Sequence, residues 1–299
     1  MPKCDGGNAG QCFTPEQAET VSTLLTAVTD EDGRLVQPGF SISDLQAMSF
    51  ITPKRPADLA ARDPFPGSDT GDVNSAGYWP LADANLKVFA HKNDPGFFTR
   101  DTMRFQRGGA GAITGYRIVV PSSEVMLVRQ SARMGIGHFP ANFGRFIRQD
   151  RKFLMWHNLS DNVLTPYMSI NFYKQLARMH GGYGRLQRNV RLFGLPGTGH
   201  CSMSGEGPNT FDALTAMENW VEKGIAPDAL PAVQYPVNAM GLKAFDRPQG
   251  RAMPLCKFPE MARYKGSGDV RDAASWECPP GDTRMLQVGE SGREAGVIE

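Results

Sequence analysis

The stretch that decides the fold is Phe153-Leu154-Met155-Trp156-His157-Asn158-Leu159-Ser160-Asp161, an apolar run that ends in a carboxylate. A second apolar run, from Val190 to Leu195, is followed closely by His200. Each run is typical of a buried strand that delivers one polar residue just past its end. The two runs therefore predict an α/β fold in which an aspartate and a histidine follow the ends of two rigid strands.

The order of these two polar residues indicates a chemistry. An α/β-hydrolase carries its serine, its acidic residue and its histidine in that order along the chain. In such a triad His200 would take the serine proton and return it to the leaving group, while Asp161 would hold the imidazole in one tautomer and stabilise its cation. The alternative is that His200 is a structural hydrogen-bonding residue after a strand.

Specific motifs surround these two residues and together span most of the chain. They are Trp156-His157 with Ser160-Asp161, Pro166 to Tyr173, Pro196-Gly197-Thr198-Gly199-His200-Cys201, Gly207-Pro208-Asn209-Thr210-Phe211-Asp212, Trp220 to Gly224 with Ala226-Pro227-Asp228, Arg251 to Cys256, and Ala262 to Asp269 running on to Cys278. Cys12-Phe13-Thr14-Pro15-Glu16-Gln17, near the start, belongs to the same set. In these motifs the chain resembles the tannase and feruloyl esterase family of α/β-hydrolases.

The resemblance implies a fold, a site and a domain organisation. The fold is α/β, with the C-terminal part of an α/β-hydrolase sheet and an irregular α+β lid insertion. By the same resemblance, Asp161 and His200 are the catalytic acid and base of the triad. Residues 1–140 are expected to form the lid, residues 141–279 the C-terminal part of the hydrolase core, and residues 280–299 a flexible tail.

Three local patterns predict helices within this organisation. Thr14 is expected to cap a helix whose capping-box partner is Gln17. A second helix is expected to start at Thr165-Pro166, and a third to run from Asn209 to a C-terminal cap at Gly224. The residues expected to face the core are Met168, Phe172 and Leu176 in the second helix, and Phe211, Leu214, Met217, Trp220 and Val221 in the third.

The triad serine is the main departure from the family. The family carries it upstream of the lid in a Gly-Cys-Ser-x-Gly-Gly turn, which this sequence lacks. The approximate match at Gly289-Glu290-Ser291-Gly292-Arg293 has Arg where a nucleophile elbow needs Gly and lies in a polar tail. Ser202 and Ser204 follow His200 too closely to turn a hydroxyl onto its ring. We therefore expect this chain to be a fragment whose serine lies outside it. A smaller departure is Asn158, where the family usually has Gly.

The five cysteines are an odd count. Cys4 and Cys12 flank a glycine-rich turn, which favours a small looped disulfide. The spacing of Cys256 and Cys278 resembles a family disulfide near the C-terminus. In the family, the Cys after the triad His bonds to the Cys before the serine, so the resemblance leaves Cys201 unpaired here. The alternative is five free thiols in a cytosolic protein.

Composition argues against several classes of function. The 299 residues have a formal net charge of +1, with 21% charged and 40% hydrophobic residues, which suggests no nucleic-acid partner. No apolar run is long enough for a membrane span, and Met1-Pro2-Lys3-Cys4-Asp5 lacks the features of a signal peptide. The resemblance implies a secreted or periplasmic location. No cofactor or metal ion is expected, because His157 and Asp161, although four residues apart, lie at a strand end and not on a helix face.

These observations predict a carboxylic ester hydrolase of the tannase and feruloyl esterase type. Its expected partners are an aromatic ester, feruloyl or galloyl in kind, and the N-terminal half that would supply the serine. The chain alone is expected to be inactive. The alternative is a non-catalytic fragment that binds aromatic esters or a partner chain. A thiol enzyme that pairs Cys201 with His200 is disfavoured, because adjacent residues rarely let the thiol meet the neighbouring ring.

Overall fold

The computed structural model describes residues 143–238, 242–247 and 250–281 together with short parts of the preceding chain. The preceding parts are residues 4, 12–15, 17–18, 21, 25, 28–29, 35–37, 39–40, 94, 103–107 and 113–118. Most of the expected lid and most of the expected tail therefore lie outside the described residues. No helix within these ranges has the length and apolar character needed to cross a membrane.

The amino-terminal helical segment begins at the predicted capping box. The Thr14 backbone N–H donates to the Gln17 side-chain oxygen at 3.0 Å, and the Gln17 N–H donates to the Thr14 hydroxyl at 3.3 Å. These reciprocal bonds satisfy two N–H groups that have no partner inside the helix, which confirms the capping prediction. Val21, one turn further along, is buried.

Two antiparallel strand pairs lie within the expected lid. Strand β1 (Val28–Thr29) pairs with β2 (Leu35–Gln37), and β3 (Met103–Arg107) pairs with β4 (Ile113–Ile118). The lid region is tied to the core where the Thr165 hydroxyl donates to the Gly39 carbonyl at 2.7 Å.

The central unit of the core is strand, helix, strand. After helix α1 (Phe143–Arg148), strand β5 (Phe153–Asn158) leads through helices α2 (Pro166–Met179) and α3 (Tyr183–Leu186) to β6 (Val190–Leu195). The two strands are parallel, in register from Phe153↔Val190 to Asn158↔Leu195. Parallel neighbours need a crossover connection of this kind. The predicted α/β class is confirmed.

A second sheet continues from the carboxyl-terminal side of this unit. Strand β7 (Thr210–Phe211), helix α4 (Ala213–Lys223), β8 (Ala229–Val233) and β9 (Ala252–Cys256) follow in chain order, and the three strands are antiparallel in the order β7-β8-β9. A bridge between Phe193 and Lys257 joins this sheet to β6. The pair β10 (Arg263–Tyr264) and β11 (Trp276–Glu277) ends the described chain.

Alternate residues of the parallel strands pack on opposite faces. Val190 and Leu192 join the cluster that α2 contributes to, and Phe193 and Leu195 join the cluster beneath α4. Because both faces are covered, the strands read as continuous apolar runs in the sequence. The first cluster is Tyr167, Ile170, Tyr173, Leu176, Ala177, Leu186, Val190, Leu192 and Phe258, and the second is Leu154, Phe193, Leu195, Leu230, Ala232 and Leu255.

In helix α2, one of the three residues predicted to face the core lies on the other side of the helix. It begins at Pro166 after Thr165, as predicted, and Leu176 is fully buried. Met168 is 37% exposed, so its assignment to the core face was wrong. The buried stripe runs instead through Ile170 and Tyr173, which places Met168 on the opposite side of the helix.

Helix α4 is shorter than predicted and buries a narrower stripe. It begins after Asp212, whose carboxylate accepts from the Thr215 N–H at 2.9 Å, and it ends at Gly224 in the predicted left-handed cap. Trp220 is buried, but Leu214 and Val221 are 71% and 61% exposed, so their assignment to the core was wrong. These two residues lie seven apart, on one line of the helix that faces away from the sheet.

Candidate active site

Asp161 lies in a tight loop just past the end of β5. Its carboxylate is 5% exposed, and one oxygen, Oδ1, accepts from the backbone N–H groups of Val163 and Leu164, both at 2.9 Å. Its own N–H donates to the Asn158 carbonyl at 3.2 Å. A buried carboxylate needs such partners. They fix the side chain and leave Oδ2 available to a further donor.

His200 supplies that donor. It opens a short 3-10 turn, His200–Ser202, that follows β6. Its Nδ1 lies 2.9 Å from Asp161 Oδ2 and 3.1 Å from Oδ1. An ionised carboxylate can only accept, so the proton lies on Nδ1 and Nε2 keeps its lone pair. The His200 side chain is 28% exposed, and within the described part of the chain no hydrogen bond uses Nε2. An imidazole in this state can take a proton from a nucleophile.

Two backbone bonds hold the aspartate and histidine loops side by side. The Leu159 N–H donates to the Leu195 carbonyl at 2.9 Å, which extends the parallel ladder by one step. The Ser160 N–H donates to the Thr198 carbonyl at 3.2 Å. Because the carboxyl ends of parallel neighbours lie at one edge of the sheet, this register brings two residues far apart in sequence within hydrogen-bond distance.

The histidine loop is itself packed tightly. Thr198 is fully buried, and its hydroxyl donates to the Pro208 carbonyl at 3.1 Å. The Gly207 N–H donates to the Gly197 carbonyl at 2.9 Å. A Cβ at Gly207 would overlap the carbonyl oxygen of Pro196, so only glycine allows this approach. The motif residues on both sides of His200 therefore shape the loop that presents it.

His157 supports the aspartate loop through hydrogen bonds of its imidazole, a role that the sequence did not reveal. Its Nδ1 lies 2.7 Å from the Ser169 hydroxyl, and its Nε2 lies 2.9 Å from the Leu164 carbonyl. The carbonyl can only accept, so Nε2 carries the proton and the hydroxyl donates to Nδ1. The same Nε2 is 3.7 Å from Asp161 Oδ2. The imidazole thus joins β5, the loop and α2.

The residues just after His200 do not bring a hydroxyl or thiol group into a hydrogen bond with its ring. Cys201 and Ser202 have backbone φ angles of 52° and 59°, in the left-handed region. The Ser202 hydroxyl lies 3.5 Å from the Asn158 amide nitrogen. Among the described residues, neither these two side chains nor Ser204 bonds to His200 Nε2. The segment Gly289 to Arg293 lies outside the described residues.

The cysteines divide as the sequence predicts. Disulfides join Cys4 to Cys12 and Cys256 to Cys278, whereas Cys201 is an exposed free thiol. The searched part of the structure contains no group of three His, Cys, Asp or Glu side chains that could hold a metal ion.

A family model covers the whole of this site. The model described as tannase and feruloyl esterase matches residues 112–279, which is more than half of the chain and includes Asp161 and His200. The chain belongs to the tannase and feruloyl esterase family. Its expected relationship to that family, drawn from the sequence motifs, is confirmed.

Curated proteins are similar to this chain over part of their own length. A mono(2-hydroxyethyl) terephthalate hydrolase from Piscinibacter sakaiensis is 36% identical over 154 residues, which cover 50% of this chain and 24% of that protein. A probable feruloyl esterase B-1 from Neosartorya fischeri is 27% identical over 286 residues, which cover 91% of this chain and 45% of that protein. The chain thus spans less than half the length of either relative.

A solved structure supports the α/β-hydrolase fold. The crystal structure of an esterase from Aspergillus oryzae aligns with a TM-score of 0.64 at 20% sequence identity, covering 93% of this chain and 49% of that chain. At this identity the likeness concerns the fold alone. The chain therefore has the α/β-hydrolase type of fold that the family resemblance implies.

Proposed function

We propose that this chain carries the acid and the base of a Ser-Asp-His triad in a carboxylic ester hydrolase. The observation that supports this most directly is the 2.9 Å bond between His200 Nδ1 and Asp161 Oδ2, which leaves Nε2 with its lone pair. Membership of the family supports ester hydrolysis as the reaction. The serine is supplied by residues outside this chain.

The proposed reaction follows from the state of the imidazole. His200 Nε2 accepts the serine proton as the serine oxygen bonds to the ester carbonyl carbon, and Asp161 stabilises the resulting imidazolium. The imidazolium then gives the proton to the departing alcohol oxygen, which leaves an acyl-serine and neutral His200. Water repeats the sequence, with its proton again passing through Nε2, and releases the carboxylic acid and the serine.

The proposed substrates are esters of aromatic acids, feruloyl or galloyl in kind. The support is the similarity to proteins named as feruloyl esterases and as a hydrolase of a terephthalate monoester, because ferulate and terephthalate both place an aromatic ring in the acid part of the ester.

We also propose an oxidising compartment, secreted or periplasmic, for this protein. The two disulfides support this, since such bonds form and persist outside the reducing cytosol.

The test of the function is an assay with methyl ferulate and methyl gallate in two preparations. One is the chain alone, and the other is the chain co-expressed with the part of the Neosartorya fischeri relative that this chain does not match. We expect hydrolysis by the pair only. Hydrolysis by the chain alone would show that the nucleophile lies within it. A stable complex that hydrolyses neither ester would favour the alternative of a non-catalytic binding fragment.

A further inference from the structure

Asn158 contacts both loops of the candidate site. It is the last residue of β5 and is 9% exposed. Its backbone carbonyl accepts the Asp161 N–H at 3.2 Å, and its side-chain Nδ2 donates to the Gly199 carbonyl at 2.7 Å. One residue therefore bonds to the proposed acid and to the residue just before the proposed base, His200.

The orientation of the Asn158 amide is fixed by its donor. If the amide were flipped, its oxygen would lie 2.7 Å from the Gly199 carbonyl oxygen, and two acceptors repel at that distance. In the observed orientation Oδ1 is buried and has no hydrogen-bond partner among the described residues. A buried acceptor without a partner is unfavourable, so packing alone does not account for an asparagine here. The interactions that the side chain provides are the bond to the Gly199 carbonyl and a longer one, at 3.5 Å, to the Ser202 hydroxyl.

The histidine loop needs external support of this kind. Cys201 and Ser202 both lie in the left-handed region, which residues other than glycine occupy at a cost unless the surroundings hold them there. The Gly199 carbonyl is the anchor nearest to these two residues, because it accepts the Ser202 N–H at 2.9 Å as well as the Asn158 amide. Cys201 carries a free thiol and adds no covalent tether.

We propose that Asn158 is a positioning residue, which holds the histidine loop so that the Nδ1–H of His200 stays hydrogen-bonded to the Asp161 carboxylate. This role rests on the proposed function of the pair. Asn158 touches no reacting atom. It acts through the Gly199 carbonyl on one side and through the Asp161 backbone on the other.

The test replaces Asn158 by leucine, which has the same number of side-chain heavy atoms and the same branching at Cγ but neither a donor nor an unpartnered acceptor. Asn171→Leu is the matched control, since Asn171 is a buried asparagine on α2 whose amide nitrogen has no partner in the described part of the chain. The readout is the imidazole nitrogen spectrum of His200, which distinguishes a proton on Nδ1 from one on Nε2. His200→Ala identifies the signal.

In the parent chain and in Asn171→Leu, we expect His200 to be protonated on Nδ1. In Asn158→Leu the ratio of the Nδ1–H to the Nε2–H form should fall about fivefold, the effect of one lost hydrogen bond, while the melting temperature does not fall. Asn158→Ala, which leaves space in place of a bulkier side chain, should show the same shift if leucine proves too large to fit.

An unchanged His200 spectrum in both variants would overturn the proposal. A fall in melting temperature with an unchanged tautomer ratio would do the same, because it would assign Asn158 a structural role only. Neither result depends on ester hydrolysis, so failure of this proposal is distinguishable from failure of the proposed function.

Discussion

The hydrogen bond between His200 and Asp161 decides which nitrogen of the imidazole can act as a base. Because its Nδ1–H donates to the carboxylate, His200 presents Nε2 as the acceptor. The carboxylate is held by two further backbone N–H groups, so it cannot turn away from the ring. The protein thereby sets the tautomer before any substrate arrives, which is the role of the acid in a hydrolase triad.

Replacing Asp161 by asparagine should reverse that tautomer. The amide oxygen can still accept from Val163 and Leu164, but the amide nitrogen would then face His200 Nδ1, which would have to accept. The proton would move to Nε2, and hydrolysis by the co-expressed pair should fall by about 10⁴-fold. Imidazole nitrogen spectra and initial rates check the two effects together. Asp228→Asn is the control, and an Asp161→Asn variant that kept its rate would contradict the assignment.

Thiol labelling should distinguish Cys201 from the other four cysteines. Because the structure has two disulfides and one exposed free thiol, alkylation of the native chain should add one label, and alkylation after reduction should add labels at all five cysteines. Intact mass measures both. Labelling of all five cysteines without reduction would contradict the disulfides and the proposed oxidising compartment.

The two polar residues at the strand ends could be predicted from the sequence, but their supports could not. Asp161 and His200 stand out because each follows an apolar run. His157 and Asn158 sit inside such a run, and what they do depends on carbonyls of Leu164 and Gly199 that only the folded loops bring near. No local pattern in the sequence encodes those contacts.

At the scale of elements, the parallel pair β5 and β6 is the platform on which the site stands. Its register sets the separation of the two loops, and its stability depends on packing against α2 on one face and α4 on the other. A change in this packing should therefore act on the whole core, not on one loop.

Truncating Phe193 should test that dependence. Phe193 is fully buried in the cluster beneath α4, so Phe193→Ala should lower the free energy of unfolding by about 3–5 kcal/mol. Phe245 is 65% exposed and meets one ring, Tyr235, so Phe245→Ala should cost about 1 kcal/mol or less. Chemical denaturation of both variants measures the difference. Equal losses would contradict the two-faced core.

An ion cluster between β6 and the chain after β9 should make stability depend on pH. Asp228 Oδ1 lies 2.7 Å from Lys257 Nζ and 2.7 Å from a guanidinium nitrogen of Arg191. The hydrogen bond from Lys257, and to a smaller extent Arg191, holds the pKa of the Asp228 carboxyl below its ordinary value. A lowered carboxyl pKa stabilises the fold above the unfolded pKa of about 4, and this contribution disappears as the pH falls through the lower folded value.

Asp228→Asn should therefore reduce stability at pH 7 and lose its effect in acid. The carboxylate is largely exposed, so the loss should be about 1 kcal/mol or less at pH 7. At pH values below the lowered folded-state pKa of Asp228, the variant and the parent should unfold alike. Denaturation curves across this range provide the measurement, and a difference that grew towards acid would contradict the assigned sign.

The ends of the helices were easier to predict than their buried faces. Thr14, Pro166 and Gly224 act through bonds or angles local to the helix end, so a few neighbouring residues determine them. The buried face of α4 depends on how the helix sits on the sheet. Leu214 and Val221 have apolar side chains at helical spacing, yet the packing of Trp220 turns them towards the surface.

At the scale of the whole molecule, one edge of β5 has no partner strand among the described residues. Among the described residues β5 pairs on one side only, with β6, and Trp156 in that strand is 51% exposed. An unpaired strand edge favours the addition of another strand. A strand at this edge would extend the parallel sheet whose carboxyl end carries Asp161 and His200.

We propose above all that His200 is the base of an ester hydrolase. The measurement that tests it most directly is the rate of methyl ferulate hydrolysis by the co-expressed pair, with His200→Ala compared against His180→Ala, a histidine outside the site. We predict that His200→Ala abolishes hydrolysis and that His180→Ala retains it. Undiminished hydrolysis in His200→Ala would contradict the assignment of His200 as the base.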